Sequence, residues 1–226
     1  MPSSNFDKSK NRRYTVTAFA CFAVPIMTVV ICTTWSMKAG LIEPCMPFID
    51  GCTSISRACR QRPVLYLFRT FMLPCSLLLF FFWWQEKSRL VEVVPEKKLL
   101  RRIAITLALI GAIFLVPYVV FLGTSGPVYE FLRRIGIYFF FAGTGIAQCI
   151  VTLGMETGVT HRDENRLRAI RRVLVIVMLA LGPLNLILKA MLMDPDAAEN
   201  VIEWWFALAL FLWFGTMAVT RQRAHS

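Results

Sequence analysis

The stretch Val64-Leu-Tyr-Leu-Phe-Arg-Thr-Phe-Met-Leu-Pro-Cys-Ser-Leu-Leu-Leu-Phe-Phe-Phe-Trp-Trp84 decides the fold. It carries a single charge, Arg69, in about twenty residues, and an α-helix of that length crosses the ~30 Å hydrocarbon core of a bilayer. Five similar blocks occur elsewhere, and 57% of the 226 residues are hydrophobic. A soluble domain rarely reaches that fraction, so the sequence predicts an all-α membrane protein.

The predicted architecture is a single six-transmembrane-helix bundle that leaves no room for a separate soluble domain. Its last two spans are less regular, because Lys189 and Glu203 lie near their outer ends. The predicted spans are residues 14–37, 64–84, 103–122, 135–153, 173–193 and 201–219 of a single membrane domain, 1–226, with an outer loop at residues 38–63.

The formal net charge of +11 is distributed in a way that argues against nucleic-acid binding. Most of the basic residues fall before the first span, between the second and third, between the fourth and fifth, and after the sixth. Short basic segments stay on the cytoplasmic side of a membrane. Both termini are therefore predicted to be cytoplasmic, with the outer loop on the opposite side.

The outer loop contains three cysteines, Cys45, Cys52 and Cys59. On an oxidising side one pair can close and one thiol is left over, and the spacing does not tell which. Free thiols are the alternative. No metal site and no cofactor are predicted, because the short Cys-x-x-Cys spacing is absent and His161 and His225 lie on the cytoplasmic side.

Arg69 lies two turns inside the second span, where a charge at mid-helix costs roughly 2.5–3.5 kcal/mol on the insertion scale. It either reaches up to the headgroups, pairs with a loop carboxylate (Asp50 or Glu43), or binds a lipid phosphate, which a guanidinium grips with two hydrogen bonds. Arg133 opens the fourth span on the same side. It is a candidate to join Arg69 in a basic cluster that binds the lipid, although an ordinary interfacial anchor is the simpler interpretation.

Small residues recur at helical spacing in two spans. Ala104, Ala108 and Ala112 form a ridge in the third span, and Gly143 with Ala147 forms one in the fourth. Such ridges let helices approach closely in lipid, so each is predicted to be a surface for packing against another helix.

Nucleophiles occur in the outer loop without the partners that catalysis needs. Ser54, Ser56 and Cys52 are candidates to attack an ester, but no histidine is predicted on that side to act as a base. An acyl hydrolase or transferase is therefore the alternative function rather than the first. A small transporter is a further alternative.

The motifs of the outer loop and second span resemble the DRAM/FRAG/SFK-like family. They are Pro47-Phe-Ile-Asp50, then Ser54-Ile-Ser56, and Tyr66-Leu-Phe-Arg69 early in the second span. The relatives carry a serine before the aspartate, which is missing here, and a histidine often opens their fourth span where this chain has Arg133-Arg-Ile-Gly136. The family includes autophagy modulators and a lipid-remodelling factor for GPI anchors.

The resemblance implies a lipid-associated membrane protein rather than an enzyme with known catalytic residues. We expect it to bind or help handle a lipid headgroup at the outer leaflet, with Asp50, Arg69, Glu43 and Arg133 as the candidate binding residues. Membrane lipids are the expected partners, and a protein partner in the membrane stays open. A bacterial inner membrane and a eukaryotic endomembrane fit equally well.

Overall fold

The computed structural model describes residues 3–155 and 162–223, and these form an all-α bundle without a strand. His161 and His225 lie outside the described residues. The helices are α1 (Ser3–Lys38), α2 (Pro47–Asp50), α3 (Ile55–Cys59), α4 (Val64–Val93), α5 (Lys98–Phe121), α6 (Pro127–Cys149), α7 (Arg162–Met191) and α8 (Asp196–Arg223), and a π-helical turn, Ile150–Met155, continues α6.

Six of these helices are long and apolar enough to cross a membrane, as the sequence predicted. Several extend beyond their predicted spans at the end of the bundle that carries the basic segments. Helix α4 continues to Val93 rather than ending at residue 84, because Glu86 and Arg89 form an ion pair within it and Glu92 pairs with Lys10 of α1 at 3.1 Å. The fold is therefore a six-helix integral membrane bundle.

The long helices pack in the order α6, α5, α4, α1, α8 and α7. Helices α5 and α6 form the most extensive contact, whereas α6 touches α7 and α8 in only a few places. The predicted ridge of Ala104, Ala108 and Ala112 on α5 is buried within the bundle. A Cβ atom on Gly136 of α6 would lie 2.7 Å from the backbone nitrogen of Tyr118, so the two backbones are in direct contact.

The basic half of the bundle is filled by aromatic rings. Trp83 of α4 stacks on Trp213 of α8 with ring centroids 5.8 Å apart. Nearby, the fully buried carboxylate of Glu86 accepts a hydrogen bond from the Tyr14 hydroxyl at 2.7 Å. Removing charges from water is costly unless they are paired, so this ion-paired and hydrogen-bonded group fixes α1 against α4.

The outer loop, predicted as a connection without secondary structure, contains the two short helices α2 and α3. Pro47 occupies the first turn of α2, where its missing N–H costs nothing. Ser54 caps α3 by accepting a hydrogen bond from the backbone N–H of Arg57 at 3.1 Å. Helices this short depend on outside contacts, and these come from α1, α4 and α8.

Candidate functional site

A disulfide joins Cys45 to Cys52 and encloses α2 within the outer loop. Cys59 is the remaining loop cysteine, a fully buried thiol on α3. The neighbouring thiol of Cys32 and burial raise the pKa of Cys59 well above its usual value. Cys59 is thus a protonated thiol at neutral pH.

The outer loop is held against the start of α8 by hydrogen bonds to its backbone carbonyls. The indole N–H of Trp204 donates to the carbonyl of Thr53 at 2.8 Å. The side-chain amide of Asn200 donates to the carbonyl of Gly51 at 2.7 Å. Both donors are buried, where an unmade hydrogen bond costs most. The loop is therefore a fixed cap on this end of the bundle.

Beneath this cap lies an apolar cavity of about 60 Å³. All long helices except α7 contribute to its walls, and Phe48 and Ile55 of the outer loop form its roof. The cavity is only partly enclosed, and one of its wall residues, Val30 of α1, is 50% exposed. Its other wall residues are almost entirely apolar, as illustrated by Val29, Met72, Leu115, Phe140 and Phe211.

Two polar side chains break this apolar lining, Tyr118 of α5 and Glu203 of α8. The Tyr118 hydroxyl lies 2.9 Å from the hydroxyl of Ser56, and either oxygen can donate. The backbone N–H groups of Ile55 and Ser56 point to the Glu203 carboxylate. Ser56 thus links both side chains, and Ser56, Tyr118 and Glu203 form what we call the polar cluster.

Arg69 supports the end of α5. Its Nε donates to the carbonyl of Val119 at 3.3 Å, and one terminal nitrogen donates to those of Val120 and Leu122 at 2.7 and 2.9 Å. The last carbonyls of a helix lack partners within the helix and carry its negative dipole end. The guanidinium is therefore a C-cap supplied by a neighbouring helix.

Pairing with a loop carboxylate, one of the alternatives for Arg69, is not found among the described residues. In the described chain neither Asp50 nor Glu43 forms an ion pair with it, and both are exposed. Asp50 instead accepts a hydrogen bond from the backbone N–H of Met46 at 2.8 Å, within its own turn. Arg133 is half-buried on α6, and its charge reaches Tyr118 of the cavity wall.

Two of the three nucleophiles proposed for the catalytic alternative have structural roles in the outer loop. Cys52 is in the disulfide, and the Ser54 hydroxyl caps α3. Ser56 is the one at the polar cluster, and its hydroxyl is paired with a tyrosine. The hydroxyl of a tyrosine is protonated at neutral pH, so this hydrogen bond does not activate the serine.

Sequence reasoning missed Glu203 and Tyr118 as site residues. The signal for Glu203 was present, because an acidic side chain within an apolar span marks a functional site by default. Because Glu203 lies near the outer end of the last span, it is interpreted from the sequence only as an irregularity of that span. Tyr118 carried no such signal, since a tyrosine near a membrane interface is ordinary.

Comparison of the chain with protein-family models, curated proteins and solved structures gives no match. The resemblance to the DRAM/FRAG/SFK-like family therefore stays a prediction that rests on the motifs of the outer loop and second span. The function is argued below from the geometry alone.

Proposed function

We propose that this membrane protein binds, or helps handle, a lipid at the end of the bundle that the outer loop covers, and that it does so without catalysis. The lipid's apolar part enters the cavity and its polar part meets the polar cluster. The observation that carries the proposal is the cavity itself, a partly enclosed apolar space whose two polar side chains, Tyr118 and Glu203, meet the outer loop at Ser56. Binding sites for small ligands have this composition, mostly apolar with a few convergent polar groups.

The position of the loop on the outer side of the membrane is part of the proposal. The disulfide between Cys45 and Cys52 supports it, because disulfides persist in oxidising compartments. The basic segments at the other end support it independently through their cytoplasmic preference. A lipid that reaches the cavity would then come from the outer leaflet.

Arg69 and Arg133 provide the positive charge that a lipid phosphate would need. Arg69 is half-buried, and in the described chain the terminal nitrogen that does not cap α5 makes no hydrogen bond. Arg133 is also half-buried and close to Tyr118. Asp50 and Glu43 are exposed on the loop and are assigned no direct contact with the lipid.

The test fills the cavity and measures the lipid that stays with the protein. Ala207 is buried and lines the cavity, so Ala207→Phe places a ring in the space intended for the chain. Ala190 is exposed on α7, and Ala190→Phe adds the same ring to the lipid-facing surface. Wild type and both variants are extracted in polymer nanodiscs, washed through detergent, and analysed for retained lipid by mass spectrometry.

We expect wild type and Ala190→Phe to retain the same lipid species and Ala207→Phe to lose it while its melting temperature stays close to that of wild type. Retention of the same lipid in the same amount by all three proteins would overturn the proposal. The catalytic alternative is tested by comparing acyl chains in membranes with and without the protein. A change that wild type restores and Ser56→Ala does not would replace binding by catalysis.

A further inference from the structure

We propose that the lipid in the cavity presents a hydrogen-bond donor, an ammonium or a hydroxyl group, to Glu203. This inference rests on the proposed function, since it concerns the polar part of the same ligand. The proposed function leaves the polar end of the lipid open. This inference specifies it as a hydrogen-bond donor and excludes lipids whose polar end is a carboxylate.

Glu203 lines an otherwise apolar cavity and keeps acceptor capacity for a ligand. An ionised carboxylate offers about four lone-pair sites. The backbone N–H groups of Ile55 and Ser56 account for two interactions on the loop side. The remaining capacity is available where Glu203 borders the cavity.

No side chain of the described residues forms an ion pair with Glu203, and the nearby cations are bound elsewhere. Arg57 pairs with Asp196 at 3.8 Å, and Lys189 pairs with Glu199 at 3.0 Å. The ionised form of a carboxylate beside an apolar cavity, with no cation of the described chain in direct contact and only the longer-range charge of Arg57, is costly. A ligand that brings a donor offsets that cost when it binds.

The neighbouring groups decide between kinds of polar end. The Tyr118 hydroxyl already shares a hydrogen bond with Ser56, so it supplements Glu203 rather than replacing it. A ligand carboxylate would place a second negative charge next to Glu203, and like charges in a poorly solvated site repel strongly. An ammonium gains both a hydrogen bond and charge attraction, and a hydroxyl gains the hydrogen bond alone.

The experiment uses one alkyl tail with three different polar ends. The full-length protein in phosphatidylcholine nanodiscs is exposed to photoreactive alkyl probes that end in an amine, an alcohol or a carboxylate. After irradiation, the peptides that carry Met72 and Phe140, two cavity residues, are quantified for cross-links by mass spectrometry. Labelling of the exposed α7 surface corrects for partition of each probe into the bilayer.

We expect the amine probe to label the cavity peptides about tenfold more than the carboxylate probe, the effect of one charge-assisted hydrogen bond, with the alcohol in between. In Glu203→Gln the advantage of the amine should disappear while the alcohol keeps its labelling, since an amide oxygen still accepts. Glu130→Gln makes the same chemical change at an exposed position in the first turn of α6 and should behave as wild type.

The outcomes separate this inference from the proposed function. If no probe labels the cavity peptides, the proposed function itself fails. If all three label them equally in wild type, or if the carboxylate is preferred, the cavity takes lipid but the role of Glu203 is wrong. The comparison of probes in wild type is decisive even if Glu203→Gln does not fold.

Discussion

The indole N–H of Trp204 donates a hydrogen bond to the carbonyl oxygen of Thr53, with 2.8 Å between nitrogen and oxygen. The two residues are 151 positions apart in the chain, and both are buried. Through this bond the last membrane helix holds the first connection of the chain. The same side chain also lines the cavity, so the attachment of the loop and the shape of the cavity depend on one residue.

Trp204→Phe should lower the free energy of unfolding by about 1–3 kcal/mol, because it leaves the buried carbonyl of Thr53 without a donor. Trp205→Phe is the matched control. Its indole donates to the carbonyl of Phe48 at 3.1 Å but is 45% exposed, so other donors can replace it. Thermal unfolding in detergent measures both, and an equal loss in the two variants would contradict the assigned role of Trp204.

Gly51→Ala should detach the outer loop from α8. Gly51 has φ +61°, and a Cβ there would overlap the backbone carbonyl group of Ala197. Gly40 has a similar φ of +66° with nothing within 4 Å of the added carbon, so Gly40→Ala carries only the left-handed strain of about 1–2 kcal/mol.

Tryptic cleavage of the loop distinguishes these two glycine variants, since Arg57 and Arg60 are exposed cleavage sites within it. We expect rapid cleavage in Gly51→Ala and a rate near that of wild type in Gly40→Ala. Slow cleavage in both would show that the loop tolerates the overlap.

Arg69→Ala should destabilise the bundle even in detergent without added lipid. It removes three hydrogen bonds to the last carbonyls of α5, and hydrogen bonds from a charged donor contribute about 1.5–3 kcal/mol each at most. Arg69→Lys should recover part of the loss, because an ammonium lacks the planar geometry that reaches several carbonyls.

Arg62→Ala is the control for Arg69. Arg62 is exposed and lies 5.9 Å from the ring of Tyr66, an exposed contact that contributes little. Circular dichroism melting curves give the comparison. If Arg69→Ala has the same melting temperature as wild type, Arg69 does not stabilise the end of α5 and its role is that of a headgroup anchor.

The outer-loop cysteines should differ in their reaction with a membrane-impermeant maleimide. Cys45 and Cys52 should react from the outside only after reduction, since they are joined in a disulfide. Cys59 should stay unreactive near pH 7 after reduction, because its raised pKa leaves little of the reactive thiolate and its side chain is fully buried.

Raising the pH should increase the thiolate fraction of Cys59 but leave its side chain buried. Denaturation should expose the side chain, so labelling in denaturant at raised pH provides the positive control for this residue. Labelling of Cys45 and Cys52 from the cytoplasmic side alone would overturn the predicted topology.

The six long helices could be predicted because hydropathy acts locally along the chain. About twenty apolar residues specify a spanning helix without reference to the rest of the protein. The ridge at Ala104, Ala108 and Ala112 was predictable for a related reason, since close approach in lipid requires small side chains at helical spacing. Both inferences needed only residues that are near in sequence.

The site was not predictable in the same way, because its members are brought together by tertiary contacts. Ser56 and Tyr118 are 62 residues apart, and no local pattern connects them. The partners of Arg69 are backbone carbonyls about fifty residues away, and a carbonyl has no signature in a sequence. Asp50 and Glu43 are therefore the partners that a sequence suggests for Arg69, because their charges can be seen there. The actual partners are carbonyl groups at the end of α5.

The glycine contacts between α5 and α6 join these two helices into one rigid unit. Gly136 brings α6 within reach of the backbone of α5, so prising the pair apart would break dense packing along its whole length. The edge between α6 and α8 has few contacts, and the cavity lies directly behind it with walls from both helices. A variant that weakens the sparse contact between α6 and α8 should therefore alter the cavity while leaving α5 and α6 joined.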